Sequence, residues 1–315
     1  MVVLDGATVN PGDNPWDALA ALGTLRVYDR TAAADVCAHA AGAEVVLTNK
    51  TPLDAATLAA LPELRFVSVL ATGCDVVDIG AARARGVGVA NVPAYATEAV
   101  AQHAFALLFE LTNAVAEHDL AVRDGAWHRA ADFSFWRRAP RELAGARFGV
   151  VGFGATGRAA ARIAAALGMR VLVATPHPPE TAPAGFRFCT IDELFRQADV
   201  VSLHCPLTEA TRALVDADRL GTMRPGALLV NTARGALVDE GAVAAALHAG
   251  TLGGFATDVL SVEPPTAGHP VVGAPRAVVT PHMAWAALAA RRRLMDVTVD
   301  NVRAYRDGAR LNRVD

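Results

Sequence analysis

Three residues near the end of the chain have side chains that could share one reaction. Arg234, Glu263 and His282 each stand in a loop shortly after an apolar run that reads as a buried strand: Ala227 to Asn231, Gly254 to Asp258 and Ala277 to Thr280. Arginine presents a planar fork that grips a carboxylate through two parallel hydrogen bonds. Histidine passes protons near neutral pH, and a neighbouring glutamate favours its charged form. The set therefore suits binding an organic acid and protonating an oxygen beside the carboxylate. Singly, the three also read as a surface charge, a solvated loop residue and a structural histidine. Their joint placement beside a glycine-rich loop favours the chemical reading.

That loop is Phe148 to Arg158, FGVVGFGATGR. Phe148, Val150 and Val151 read as strand, and Ala159 to Leu167 as an alanine-rich helix. Gly152 permits a tight turn, Gly154 lets a pyrophosphate reach the backbone, and Gly157 lets helix and sheet pack closely. The N–H groups around Ala155 and Thr156, at the positive end of the helix, would hold the phosphates. A strand before the motif and a helix after it supply the context that a bare Gly-x-Gly-x-x-Gly lacks.

Elements alternate along the whole chain. Strands are expected at Val2–Leu4, Leu25–Tyr28, Glu44–Thr48, Arg65–Leu70 and Val87–Ala90, with helices at about Ala32–Ala41, Pro52–Leu61 and Val76–Arg85. A long amphipathic helix is expected from about Thr97 to His118, followed by an irregular aromatic stretch, Gly125 to Pro140. After the glycine loop come strands at Val171–Ala174 and Asp199–His204 and the three named above. Helices are expected at Asp192–Gln197, Asp216–Leu220, Glu240–Ala249 and about Trp285–Asp307. This pattern predicts an α/β fold of two Rossmann-like, doubly wound parallel-sheet domains. One domain is discontinuous, residues 1–95 plus 286–315, and would take substrate; residues 96–285 would bind the dinucleotide.

The 315 residues suffice for two domains with cores of ordinary size. With 53% hydrophobic and 19% charged residues the chain is globular, and a net charge of -3 gives no reason to expect nucleic acid or a membrane as partner. Cys37, Cys74, Cys189 and Cys205 are scattered, which argues against a zinc site or a disulfide framework and fits a reducing, cytoplasmic setting. The N-terminal MVVLDGATVN lacks the pattern of a signal peptide.

With those residues in place, the chain resembles the D-isomer-specific 2-hydroxyacid dehydrogenases, closest to the glycerate dehydrogenase or hydroxypyruvate reductase branch. The matching stretches are GFGATG (Gly152 to Gly157), HCPLT (His204 to Thr208), MRPGALLVNTARGALVDE (Met223 to Glu240), ATDVLSVEPP (Ala256 to Pro265) and TPHMAW (Thr280 to Trp285). TNKTPL, VLATGCDVVDI and NVPAYATEAVAQHAFAL extend the likeness into the first domain. The resemblance implies that His282 is the acid and base, that Glu263 pairs with it, and that Arg234 binds the substrate carboxylate and polarises the C2 carbonyl. It further implies that backbone N–H groups around Thr72 and Gly73 hold the carboxylate from its other side. Asp258 would orient the nicotinamide amide, while Cys205, Pro206, Thr232 and Ala233 would line the cofactor cleft. No metal is implied, and homodimerisation through the cofactor domain is.

Two departures bear on specificity. NAD-specific relatives usually carry an acidic residue after the second fingerprint strand, where this chain has Thr175, Pro176 and His177. Thr175 neither repels a 2′-phosphate nor clamps it, so NADPH is expected to be tolerated or mildly preferred, with Arg158 a distant source of charge. Cys74 reads as a packing residue. Trp136 and Lys50 are candidates to line the substrate pocket, and equally read as a core aromatic and a surface lysine. The expected activity is reduction of a small 2-keto acid, hydroxypyruvate or glyoxylate foremost. The alternatives are another short 2-keto acid such as pyruvate, and a non-catalytic dinucleotide-sensing regulator.

Overall fold

The computed structural model describes all 315 residues. It divides into two compact units, Met1–Ala96 with Trp285–Asp315, and Thr97–Ala284.

The first 96 residues hold strands β1 (Val2–Val3), β2 (Arg26–Val27), β3 (Val45–Thr48), β4 (Phe66–Val69) and β5 (Gly88–Ala90). Short helices separate them: α1 (Asp17–Ala20), α2 (Val36–His39), α3 (Ala55–Ala59) and α4 (Ile79–Ala84). The strands are β-branched and buried along their length in β3 and β4, as a parallel sheet covered on both faces requires. All pair in parallel, in the order β2-β1-β3-β4-β5. Asp54 and Asp78 start α3 and α4 by accepting the backbone N–H three residues on. Three expected helices are shorter than the sequence suggests, Pro52–Leu61 being helical only over Ala55–Ala59. Ala32–Ala41 is a 3-10 turn followed by the single turn α2, and Val76–Arg85 becomes helical only at Ile79.

The second unit opens with α5 (Thr97–Asn113) and α6 (Val115–Arg123). One continuous helix was expected here; instead Ala114 sits at φ 49° and the two helices meet at a 58° bend. Alanine in the left-handed region has no sequence signature, which is why the break is invisible in the pattern. No single helix is long and apolar enough to cross a membrane, although this bent pair passes by length and composition. α5 buries Ala101, Ala104, Phe105, Leu108 and Leu111 in the core of its own unit, where Phe105 stacks on Phe148.

The sheet of this unit contains β6 (Arg147–Val151), β7 (Arg170–Ala174), β8 (Phe186–Phe188), β9 (Val200–Leu203), β10 (Leu228–Asn231), β11 (Gly254–Thr257) and β12 (Ala277–Val279). Between them lie α7 (Ala155–Ala166), α8 (Ile191–Gln197), α9 (Ala217–Thr222) and α10 (Glu240–Ala249). All strands are parallel, in the order β12-β11-β10-β9-β6-β7-β8. The winding reverses between β6 and β9, and loops at such a reversal hold ligands in doubly wound sheets. β8 was not anticipated. It is an edge strand of three half-exposed residues behind a proline-rich turn, too short to show a period.

The last helix, α11 (Leu288–Arg306), belongs to the first unit. Its apolar stripe, Ala290, Leu294, Met295, Val299 and Val302, is buried, and Tyr305 stacks on Phe66 of β4. It begins three residues later than the expected Trp285.

Candidate active site

Three glycines shape the loop after β6 for different reasons. Gly152 has φ 91°, and a Cβ there would lie 2.7 Å from the backbone of His204 and Cys205, at the end of β9. A Cβ on Gly157 would lie 2.0 Å from the Gly152 carbonyl oxygen. Gly154 differs: a Cβ would meet nothing within 4 Å. It is the N-cap of α7 and supplies no side-chain hydrogen bond. The N–H groups of Ala155, Thr156 and Gly157 thus start a twelve-residue helix without a side-chain cap, at the reversal of the sheet. After β10 of the same sheet, the Thr232 hydroxyl is buried with no hydrogen-bond partner. Open backbone donors and an orphaned hydroxyl fit a dinucleotide, whose phosphates and ribose would complete both.

Opposite the glycine loop, the stretch after β9 is apolar and inert. Burial pushes the Cys205 thiol up to about 11, so the thiolate is not formed near neutral pH. Burial likewise lowers His204 to about 4, and its Nε2 shares a hydrogen with Ser202 Oγ at 2.9 Å. Thr211 Oγ1 donates to the Pro206 carbonyl at 2.8 Å and fixes the turn that follows.

After β10, the fully buried Asn231 organises the turn that carries Arg234. Its Oδ1 accepts the Ala233 N–H at 3.0 Å and its Nδ2 donates to the Arg234 carbonyl at 2.9 Å. One guanidinium nitrogen donates to the Ala233 carbonyl at 2.8 Å, which bends the side chain back over its own turn. Gly235 follows, and a Cβ there would come within 1.9 Å of the Leu260 carbonyl carbon. Only glycine lets the loop bearing Arg234 touch the loop bearing Glu263.

His282 and Glu263 meet. Nδ1 of His282 lies 2.6 Å from Glu263 Oε2, and Oε1 accepts the Leu260 N–H at 2.8 Å. The ring is therefore held through Nδ1. The two side chains are 28% and 34% exposed, open enough for a substrate to reach. His282 has φ 52° and its N–H bonds back to the Thr280 carbonyl at 3.0 Å. A histidine in the left-handed region costs on the order of 1 kcal/mol, a strain that structures retain mostly at functional sites.

Asp258 explains how that strain is held. Its side chain is 1% exposed. Oδ1 accepts the Thr280 hydroxyl at 2.6 Å and the Met283 N–H at 2.9 Å, and Oδ2 accepts the Ala284 N–H at 2.8 Å. His103, on α5, reaches Thr280 Oγ1 at 2.9 Å and Asp258 at 3.4 Å. Burial alone would raise the carboxyl, but the bonds from His103, Thr280, Ala284 and Met283 outweigh it and hold Asp258 below the usual carboxylate range. The oxygens of Asp258 thus serve the turn that presents His282.

Thr72 and Gly73 lie in the first unit, after β4, where the Thr72 hydroxyl donates to the Val92 carbonyl and Asn91 donates to the Thr72 carbonyl. Cys74 packs against the core of that unit, and burial, with Asp75 adding to it, raises its thiol. The Lys50 N–H donates to Asp5 and its side chain is exposed. Trp136 is exposed, not core. Thr175 is half-buried at the end of β7, and Arg158 donates to the Phe153 carbonyl at 2.8 Å. Asn231, His103 and Glu240 were not singled out for the site. Their partners lie at sequence separations that no local pattern reveals, Asn231 excepted, whose bonds within its own turn were readable.

A glycine-rich loop at the sheet reversal and a histidine–glutamate pair on the loops after β11 and β12 of the same sheet suit a nicotinamide-dependent oxidoreductase. Comparison with known proteins makes this narrower. Residues 105–284 match the model of the D-isomer specific 2-hydroxyacid dehydrogenase NAD binding domain, and the chain belongs to that family. A hydroxypyruvate reductase of Blautia hydrogenotrophica is 40% identical over 319 aligned residues, covering 100% of this chain and 99% of the relative. A glycerate dehydrogenase of Methylorubrum extorquens is 40% identical, covering 87% and 86%. A solved structure from Thermus thermophilus superposes with a TM-score of 0.87 at 34% identity, covering 100% and 99%. The protein is thus an oxidoreductase acting on the CH–OH group of 2-hydroxy acids, with a nicotinamide cofactor.

Proposed function

We propose that the chain reduces hydroxypyruvate, and glyoxylate with it, to the D-glycerate and glycolate products. The observation that carries this reading is the 2.6 Å pair of His282 and Glu263, together with two relatives at 40% identity named for hydroxypyruvate and glycerate. His282 Nε2 gives its proton to the carbonyl oxygen as that oxygen gains charge, and takes it back in the reverse direction. Glu263 holds the ring through Nδ1 and favours the imidazolium by its charge. Arg234 binds the substrate carboxylate and polarises the C2 carbonyl. Thr72 and Gly73 are assigned to the same carboxylate on family resemblance. The nicotinamide, when bound, supplies the hydride. Gly152, Gly154, Ala155, Thr156 and Gly157 would take its phosphates, with Thr232, Ala233, Cys205 and Pro206 lining the cleft. Thr175 offers a neutral hydroxyl where a carboxylate would exclude NADP, so NADPH serves as well as NADH or somewhat better.

The second copy of the chain is the expected partner. Phe133 is 90% exposed, and Trp127, Trp136, Leu120 and Val122 are also exposed on α6 and the stretch after it. Exposed apolar side chains of this size are the kind that an interface covers. Sedimentation would show a dimer; a monomer at micromolar concentration refutes this part of the reading. A cytoplasmic setting suits four unpaired thiols.

The decisive experiment is a panel of 2-keto acids, including hydroxypyruvate, glyoxylate and pyruvate, with NADH and NADPH in parallel. Hydroxypyruvate should give the highest kcat/KM. His282→Ala should lower kcat by roughly a hundredfold or more while dinucleotide binding persists. Turnover near the parent level in that variant removes His282 as the acid. Failure to reduce any keto acid favours the regulator.

A further inference from the structure

We infer that Glu240 is a positioning residue for the reaction, closing the base of the loop that carries Glu263. The inference rests on the reading of Glu263 as partner to the proton donor. Ser261 to Gly268 are exposed without exception, and Glu263 stands among them. Both ends of this stretch are tied to one carboxylate. Glu240 Oε1 accepts the Ser261 N–H at 2.7 Å, and Oε2 accepts both the Ser261 hydroxyl and His269 Nε2, the latter at 3.1 Å.

Glu240 is the first residue of α10, a place where glutamate is ordinarily solvated and helps only the helix dipole. Here its side chain is 9% exposed and His269 is 7% exposed. Every hydrogen bond it accepts comes from the loop. His269 Nδ1 faces the Val271 N–H at 3.4 Å, so Nε2 carries the proton that Glu240 receives. Gly235 presses the same end of the loop from the other side, with no room for a Cβ against Leu260 and Ser261.

An exposed loop has few contacts of its own to hold its shape, and a staple across its base removes most of the freedom of its ends. The 2.6 Å contact between Glu263 and His282 depends on where that loop stands. Glu240 touches neither His282 nor the reacting atoms, and acts through Glu263. Gln at 240 keeps only one acceptor oxygen, against three donors.

The test is a double-mutant cycle on the intact protein with hydroxypyruvate and NADH. Glu240→Gln should lower kcat roughly tenfold, the scale of a small misplacement of a catalytic group. KM for NADH should stay within about twofold, because the glycine loop is held separately. In a Glu263→Gln background the Glu240 substitution should add nothing further. His269→Ala should repeat the effect of Glu240→Gln, and His269→Gln should recover part of it by again offering a donor. Parent-level kcat in Glu240→Gln or His269→Ala, losses that multiply in the double variant, or equal loss in His269→Ala and His269→Gln, overturns the inference. If Glu263→Gln alone turns over at the parent rate, the reading of Glu263 fails first and takes the staple's role with it. A slow Glu263→Gln beside a fast Glu240→Gln sinks the staple alone.

Discussion

In the sheet of Thr97–Ala284 the winding reverses between β6 and β9, and the loop after β6 is Gly152 to Gly157. In the sheet of Met1–Ala96 it reverses between β1 and β3, and Asp5 follows closely on β1. Both reversals aim backbone N–H groups at one spot. In the first unit Asp5, a buried carboxylate, receives them: Oδ1 accepts Asn49 N–H at 2.9 Å, and Oδ2 accepts Lys50 and Thr51 N–H at 2.6 and 2.8 Å. In the second unit glycines stand where a side chain would reach, and the donors at the start of α7 have no side-chain cap. One topology thus yields a self-capped knot in one sheet and a row of donors without a side-chain cap in the other. What decides is whether the chain brings its own carboxylate to the donors.

The largest effect should come from forcing a side chain into the closely packed base of the glycine loop. Gly157→Ala puts a Cβ 2.0 Å from the Gly152 carbonyl, backbone against backbone, so α7 or the loop must move. We expect a loss of about 3 kcal/mol or more, from strain of this size in a packed region, and loss of measurable dinucleotide binding. A variant with parent stability and parent affinity would show that the close approach is not needed.

Next in size is the knot. Asp5→Ala would leave three backbone donors at a buried site without their charged acceptor. Charge-assisted bonds lost this way cost about 3 kcal/mol in sum, after the donors find water. Urea unfolding should show that loss, while the dissociation constant for NADH stays at the parent value. Weakened NADH binding would break the division of labour drawn between the two reversals.

These two loops also show how much of the molecule the sequence discloses. Buried runs such as VVLT and FVSV and the glycine motif are local, and the alternation they make defines two doubly wound sheets without coordinates. His282, Glu263 and Arg234 stand out in the sequence because each follows such a run, and the fold brings His282 and Glu263 together. Asp5 was not, since its partners lie more than forty residues away. The same holds for His103 with Asp258 and for Glu240 with His269, where the contact is made by the fold and not by a spacing. The break at Ala114 escaped because alanine is no turn residue, and the edge strand β8 because three residues are too few to show a period.

A smaller effect concerns acidity at the second reversal. Burial holds His204 neutral down to about 4, against an ordinary value of 6.5. The unfolded chain binds this proton as pH falls below 6.5, and the native chain does not until about 4. Stability from this group is therefore complete above pH 6.5, declines through the interval from 6.5 to 4, and levels off below it. The loss amounts to about 3 kcal/mol at most, from the size of the shift. Urea midpoints measured across that interval should flatten in His204→Gln relative to the parent. Identical slopes would mean that the ring is solvated in the native state.

Gly154 should give the smallest change in stability and the sharpest reading of the comparison. Its φ is −71°, which any residue adopts, and a Cβ there meets nothing within 4 Å. Nothing in the fold requires glycine at this position, in contrast to Gly152 and Gly157. Replacing it by alanine at a helix N-cap should cost under about 1 kcal/mol. A phosphate approaching the start of α7 would instead meet the new methyl group. Gly154→Ala should therefore unfold at nearly the parent urea midpoint and bind NADH roughly tenfold more weakly, about 1.4 kcal/mol. The two glycines packed against backbone should lose stability and binding together, and Gly154 should lose binding alone. Parent affinity in Gly154→Ala would mean that the pyrophosphate does not pass over this residue, and that the open donors at the start of α7 serve some other end.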